Sequence, residues 1–189
     1  SMQGFIVYNK TLFENAGLLN PSQLEAKNQW TWTEMYKAAK KITKDANNDG
    51  TPEIWGLGQK IDWIYNDFIK FGGGEAFALE RNHTKCVIDQ PKNYKGLEIL
   101  RKMIEEKVWN DEVVGNGTNF YLNFKAGKLG MAWNSAVPWL MDIFRDNKAL
   151  KWDIEVTPPY KPGSQLISYA SATDSIAMGA YTKYPKETL

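Results

Sequence analysis

Residues 30–58 read WTWTEMYKAAKKITKDANNDGTPEIWGLG and place a helix, a polar loop and a strand in close succession. Thr31 and Glu34 have the spacing of a capping box. Behind them Met35, Ala38, Ala39 and Ile42 recur at helical spacing, so this stretch predicts an amphipathic helix. After the Asp/Asn/Gly loop, EIWGLG predicts a short strand. Whether that unit belongs to an α/β sheet depends on its flanks.

Upstream, GFIVY (4–8) is a β-rich run. NKTLFENAGL (9–18) then predicts a short helix capped by Asn9 and stopped at Gly17, with a polar connection from Pro21 to Gln29. Downstream, DWIYNDFIKF (62–71) predicts a helix ending at Gly72-Gly73-Gly74, and KCVI (85–88) a strand. Asp89 and Pro91 open a long helix through Val108, with Leu97, Leu100, Ile104 and Val108 as its core stripe. A helix over 117–127, a strand at KLGMAW (128–133) and a helix at AVPWLMDIFRDN (136–147) follow. KWDIEVTPP, LISYAS and SIAMGAY are β-like. Strands and helices alternate with no repeat or low-complexity linker, which predicts one compact α/β lobe over residues 4–187. Residues 1–3 read as an expression scar before a chain cut from a longer one.

Composition removes several functions. A hydrophobic fraction of 43% supports a real core, and a net charge of +1 argues against nucleic acid as partner. Cys86 is the single cysteine, so it forms no internal disulfide. No apolar run reaches membrane-spanning length. His83, the single histidine, lies in a polar stretch read as a loop and has no neighbouring nucleophile or orienting acid. Phosphate-loop, nucleophile-elbow and paired-cysteine zinc patterns are missing from the sequence.

Two constellations remain. Asp45, Asn47, Asp49, Thr51 and Glu53 alternate as oxygen ligands of a calcium loop do, but the twelfth position from Asp45 is Gly56 rather than a bidentate Glu. The same residues suit an Asx-rich turn with Gly50 at positive φ, and both readings stay open. The second constellation is aromatic. Of 8 Trp, Trp63 opens a helix after a strand, Trp133 ends a strand, and Trp139 begins the next helix. Strand ends and helix starts form the ligand rim of α/β sheets. Asp62, Asn134, Ser171 and Thr173 would supply hydrogen bonds beside those rings, an arrangement suited to sugars.

Seven stretches in order resemble the second lobe of family 1 extracellular solute-binding proteins, the carbohydrate receptors of ABC importers. They are FIVYNKTLFENAGL, the 30–58 unit, FIKFGGG, IDQPKNYKGLEILRKMIEEKVW, NFKAGKLGMAWNSAVPW, WDIEVTPPYKPGS and ISYASATDSIAMGAYTKYPKE. The resemblance implies one lobe of a type II two-lobed receptor, non-catalytic, extracytoplasmic as a lipoprotein or periplasmic protein. Its expected partners are a sugar or oligosaccharide, a membrane permease and the other lobe of its own chain. Trp139 of Pro138-Trp139 is the expected sugar-stacking ring, with Asp62, Trp63, Trp133 and Asn134 lining the cleft. Ser171 and Thr173 stand where the family carries Gly-Gly. The resemblance also implies calcium at the 45–53 loop in some members. Rival readings are a receptor of the same fold for peptide, polyamine or a metal complex, a carbohydrate-active enzyme domain, and a calcium-dependent adhesion module.

Overall fold

The computed structural model describes residues 5–59, 65, 67–70, 72–75, 77–80, 83–110, 120–133, 145 and 147–158. β1 (Phe5–Asn9) leads into α1 (Lys10–Asn15), where Asn9 Oδ1 accepts the Leu12 N–H at 3.2 Å and Gly17 stops the helix at φ +62. The expected connection at 21–29 contains a five-residue helix, α2 (Pro21–Glu25). Its sequence signal is Asn20-Pro21-x-Gln23. Asn20 and Gln23 exchange side-chain and backbone hydrogen bonds, and Pro21 takes the first helical position, where its missing N–H costs nothing.

α3 (Trp32–Ile42) starts at Thr31, whose hydroxyl accepts the Glu34 N–H at 3.3 Å. Half of the capping box forms, because the Glu34 carboxylate turns to Lys37 at 2.7 Å. After the loop comes β2 (Trp55–Gly58). Gly56 is required there: a Cβ would lie 2.0 Å from the Ala39 carbonyl oxygen, so helix and strand backbones touch directly.

Tyr65 and residues 67–70 are helical. A hairpin absent from the sequence reading follows, β3 (Phe77–Glu80) against β4 (His83–Cys86), with Glu80 opposite His83. His83 is thus a strand residue, placed there by cross-strand pairing that no local pattern announces. α4 (Tyr94–Glu105) ends earlier than expected, and Lys107 turns at φ +53. Val108 then leads into β5 (Trp109–Asn110) instead of extending the helical stripe. The buried face of α4 is Gly96, Leu100 and Met103. α5 (Phe120–Lys125), β6 (Leu129–Trp133) and β7 (Trp152–Val156) complete the described elements.

The strands form a five-stranded sheet in the order β5-β2-β6-β1-β7. β2 runs parallel to β5 and β6, whereas β1 is antiparallel to β6 and β7. Side chains alternate across β1: Ile6 and Tyr8 join one core with Met35, Ala39 and Ile42, while Val7 joins the other with Phe120 and Phe124. Burial on both faces explains why β2 and β6 are apolar throughout. Each large aliphatic side chain so enclosed contributes about 1.5–3 kcal/mol. Trp30, fully buried, donates its indole N–H to the Val156 carbonyl at 2.9 Å and ties the α2–α3 connection to β7.

Candidate functional site

The three parallel strands β5, β2 and β6 deliver their carboxyl ends side by side, at Asn110, Gly58 and Trp133. Crevices outside such ends are where open α/β sheets bind ligands. Beneath them lies an aromatic group. Trp32 and Phe68 pack edge to face at 4.6 Å, Trp32 and Trp133 lie tilted at 5.1 Å, and Phe68 stacks on Trp133 at 5.7 Å. Trp109 meets Phe68 edge-on at 5.7 Å.

Buried polar groups bind the strand ends together. Trp109 Nε1 donates to the Gln59 carbonyl at 3.0 Å, and Gln59 Nε2 donates to the Trp133 carbonyl at 2.5 Å. Trp133 Nε1 donates to Asp67 Oδ2 at 3.1 Å. Asn110 Oδ1 accepts from Asn123 Nδ2 at 3.1 Å, and Asn110 Nδ2 is buried without a partner. Gln59, Asp67 and Asn110 are all buried, and polar groups sealed at the end of a sheet are held there by hydrogen bonds. None of the three was legible as a site residue. The available signal was their position one step beyond, or just after, an apolar strand.

Trp133, expected to line the cleft floor, is fully buried. Its ring packs against Trp32 and Phe68, so within this lobe it supports the floor from below and offers no open face to a ligand. The cause is register: Trp133 pairs with Ile6 and shares the sheet face of Met131, toward α3. Asp62, Trp63, Asn134, Trp139, Ser171 and Thr173 lie outside the described residues. In sequence, 60–64 follows directly on Gln59, and 134–140 on Trp133.

The 45–53 loop is described in full. Asp45 Oδ2 accepts the Gly50 N–H at 2.9 Å, Asn47 Oδ1 the Asp49 N–H at 2.9 Å, and Asp49 Oδ1 the Thr51 N–H at 2.8 Å. Glu53 Oε2 accepts the Ala46 N–H at 2.7 Å. Lys107 from the end of α4 donates its ammonium to the Gly50 carbonyl. Asp45 Oδ1 is buried and unpartnered, the one loop oxygen of that kind. Among the described residues no three His, Cys, Asp or Glu side chains gather as a metal-binding group. The donor set suits a hard cation in kind, with Asp45 Oδ1 as its first ligand. The hydrogen bonds also make the loop a complete Asx turn without one.

The family model for bacterial extracellular solute-binding proteins matches residues 1–188. The chain belongs to this family. No curated protein matches its sequence. The solved structures it resembles include a Listeria monocytogenes ABC substrate-binding protein in complex with cycloalternan, at 28% identity and TM-score 0.64, covering 83% of this chain and 37% of that one. A Thermotoga lettingae solute-binding protein bound with alpha-D-tagatose shares 24% identity at TM-score 0.63, over 85% and 41%. The maltodextrin-binding domain of Bdellovibrio bacteriovorus bound to maltotriose shares 19% at TM-score 0.63, over 87% and 39%. The chain therefore spans about two fifths of the length of these relatives, the share of one lobe of a two-lobed solute-binding protein. Among the described residues no helix is long and apolar enough to cross a membrane.

Proposed function

We propose that this chain is one lobe of a non-catalytic receptor that binds a sugar or oligosaccharide and hands it to a membrane permease of an ABC importer. The observation that carries the reading is the rim of three parallel strand ends over an aromatic and amide-rich floor, in a chain of the solute-binding family. The segments expected to meet ligand, with Asp62 and Trp63 in one and Asn134 and Trp139 in the other, leave that rim directly in sequence. Indole rings present flat apolar faces that suit sugar rings, and short amide and carboxyl groups suit hydroxyls. Relatives described with cycloalternan, tagatose and maltotriose support a sugar over a peptide, polyamine or metal complex. Ser171 and Thr173 are assigned to the same cleft, and the full protein to the cell surface or periplasm.

The test is a tryptophan-fluorescence titration of the full-length protein against mono- and oligosaccharides, with Trp139→Ala alongside. A saturable change with one sugar class, abolished in the variant, is expected. A flat response from a folded protein would move the assignment to a non-sugar solute.

Calcium at the 45–53 loop is a separate proposal, with Asp45, Asn47, Asp49, Thr51 and Glu53 as the candidate ligands. Calcium raising the melting temperature by several degrees, with reversal by chelator, would mark the loop as metal-held. An unchanged melting curve would mark it as a turn held by its own hydrogen bonds.

A further inference from the structure

Gln59 makes contacts that neither strand formation nor core packing requires. It stands one residue past β2 and is 1% exposed. Its backbone N–H reaches the Asn110 carbonyl at 3.2 Å, and its own carbonyl accepts the Trp109 indole N–H at 3.0 Å. Both partners belong to β5. Its side chain turns the opposite way, and Nε2 reaches the Trp133 carbonyl at 2.5 Å, on the last residue of β6. One residue thereby links the carboxyl ends of all three parallel strands. Trp133 is held from its other end as well, by Asp67 Oδ2 on the indole N–H at 3.1 Å.

We propose that Gln59 is a positioning residue for ligand binding: it sets where the chain leaves β2 and β6, and so fixes the two candidate ligand segments, 60–64 and 134–140, relative to each other. The proposal rests on the sugar-receptor reading for its functional consequence, and on the hydrogen bonds alone for its structural one. The Trp133 carbonyl is the last acceptor before Asn134. Side-chain length decides the effect. Asn is one methylene shorter and falls short of the neighbouring strand, whereas Met keeps the reach and removes the donor. Glu would turn an acceptor oxygen on the carbonyl and repel it. In each case a buried carbonyl at the rim loses its donor, which is costly in a sealed site.

The experiment compares wild type, Gln59→Met and Gln59→Asn in the full-length protein, by hydrogen exchange read by mass spectrometry and by maltotriose binding well below the melting temperature. Faster exchange confined to 60–64 and 134–140 is expected, with β1 and β7 unchanged. Maltotriose affinity is expected to fall about tenfold, equivalent to about 1.4 kcal/mol. A purely structural role would lower the melting temperature and leave both the exchange pattern and the affinity of the folded protein as they were. Should Gln59→Met fail to fold, Gln59→Asn carries the comparison. Exchange that is unchanged at both segments, or raised evenly over the sheet, would overturn the proposal whatever the sugar result. Localised loosening in a protein whose wild type binds no sugar would uphold the positioning role and refute the sugar reading.

Discussion

The side chain of Asn93 is wholly buried and joins the approach to the β3–β4 hairpin to its exit. Its Oδ1 accepts the Glu75 N–H at 2.9 Å, while Nδ2 donates to the carbonyls of Glu75 at 2.9 Å and Val87 at 2.6 Å. Asn93→Ala strands these backbone groups, and buried orphans cost about 1–3 kcal/mol each. A loss of about 3 kcal/mol is expected, read as a lower urea midpoint at unchanged m-value. Tyr36 illustrates a surface counterpart. Burial first, and then its hydrogen bond to Glu106, push its phenol up to about 12. The ammonium groups of Lys40 and Lys102 lie 5.6 and 5.5 Å from its ring centre. A raised tyrosine pKa means that the unfolded chain releases its proton first. The associated stability is therefore complete below about pH 10 and is lost as pH rises toward 12. Tyr36→Phe is expected to remove that alkaline slope from stability curves, and to delete one late-titrating phenol from the ultraviolet titration.

Two helices depend on single residues at their ends or faces. Thr31 caps α3 through its hydroxyl, and Thr31→Ala is expected to cost about 1 kcal/mol in thermal denaturation. The N-cap backbone still accepts the Met35 N–H, so the helix should shorten at its first turn rather than dissolve. Gly96 matters differently. A Cβ there would lie 1.7 Å from the Phe68 carbonyl oxygen, so α4 rests directly on the helical turn 67–70. That turn carries Asp67, which holds the Trp133 indole. Gly96→Ala must push the two apart, with an expected destabilisation of about 1–3 kcal/mol. Because the shift is transmitted to Asp67, ligand affinity should weaken along with stability, whereas Thr31→Ala should lower stability alone.

At the scale of the molecule, the chain supplies one half of a cleft. A ligand enclosed between two lobes stabilises the closed state in proportion to its extra contacts there. The isolated lobe has only its own share of those contacts. It is therefore expected to bind maltotriose far more weakly than the full-length protein, and calorimetry on both forms checks this. Micromolar binding by the lobe alone would mean that the site is complete within it.

The alternation of strand and helix, the caps at Asn9 and Thr31, and the strands EIWGLG and KLGMAW were all legible because their signals are local: a capping side chain, a helical period, a doubly buried apolar run. The ordered series of family stretches was legible in the same way. What tertiary structure decided is which of these local units meet. β3 and β5 are too short to carry a period of their own and exist through pairing. Trp133 looked like a ligand residue by position, yet register in a sheet covered on both faces sends its ring into the core. Gln59, Asp67 and Asn110 are ordinary polar residues in sequence. They become the bracing of the candidate site because parallel pairing brings three strand ends together and seals them from water, where every polar group must find a partner inside the protein or remain at a cost.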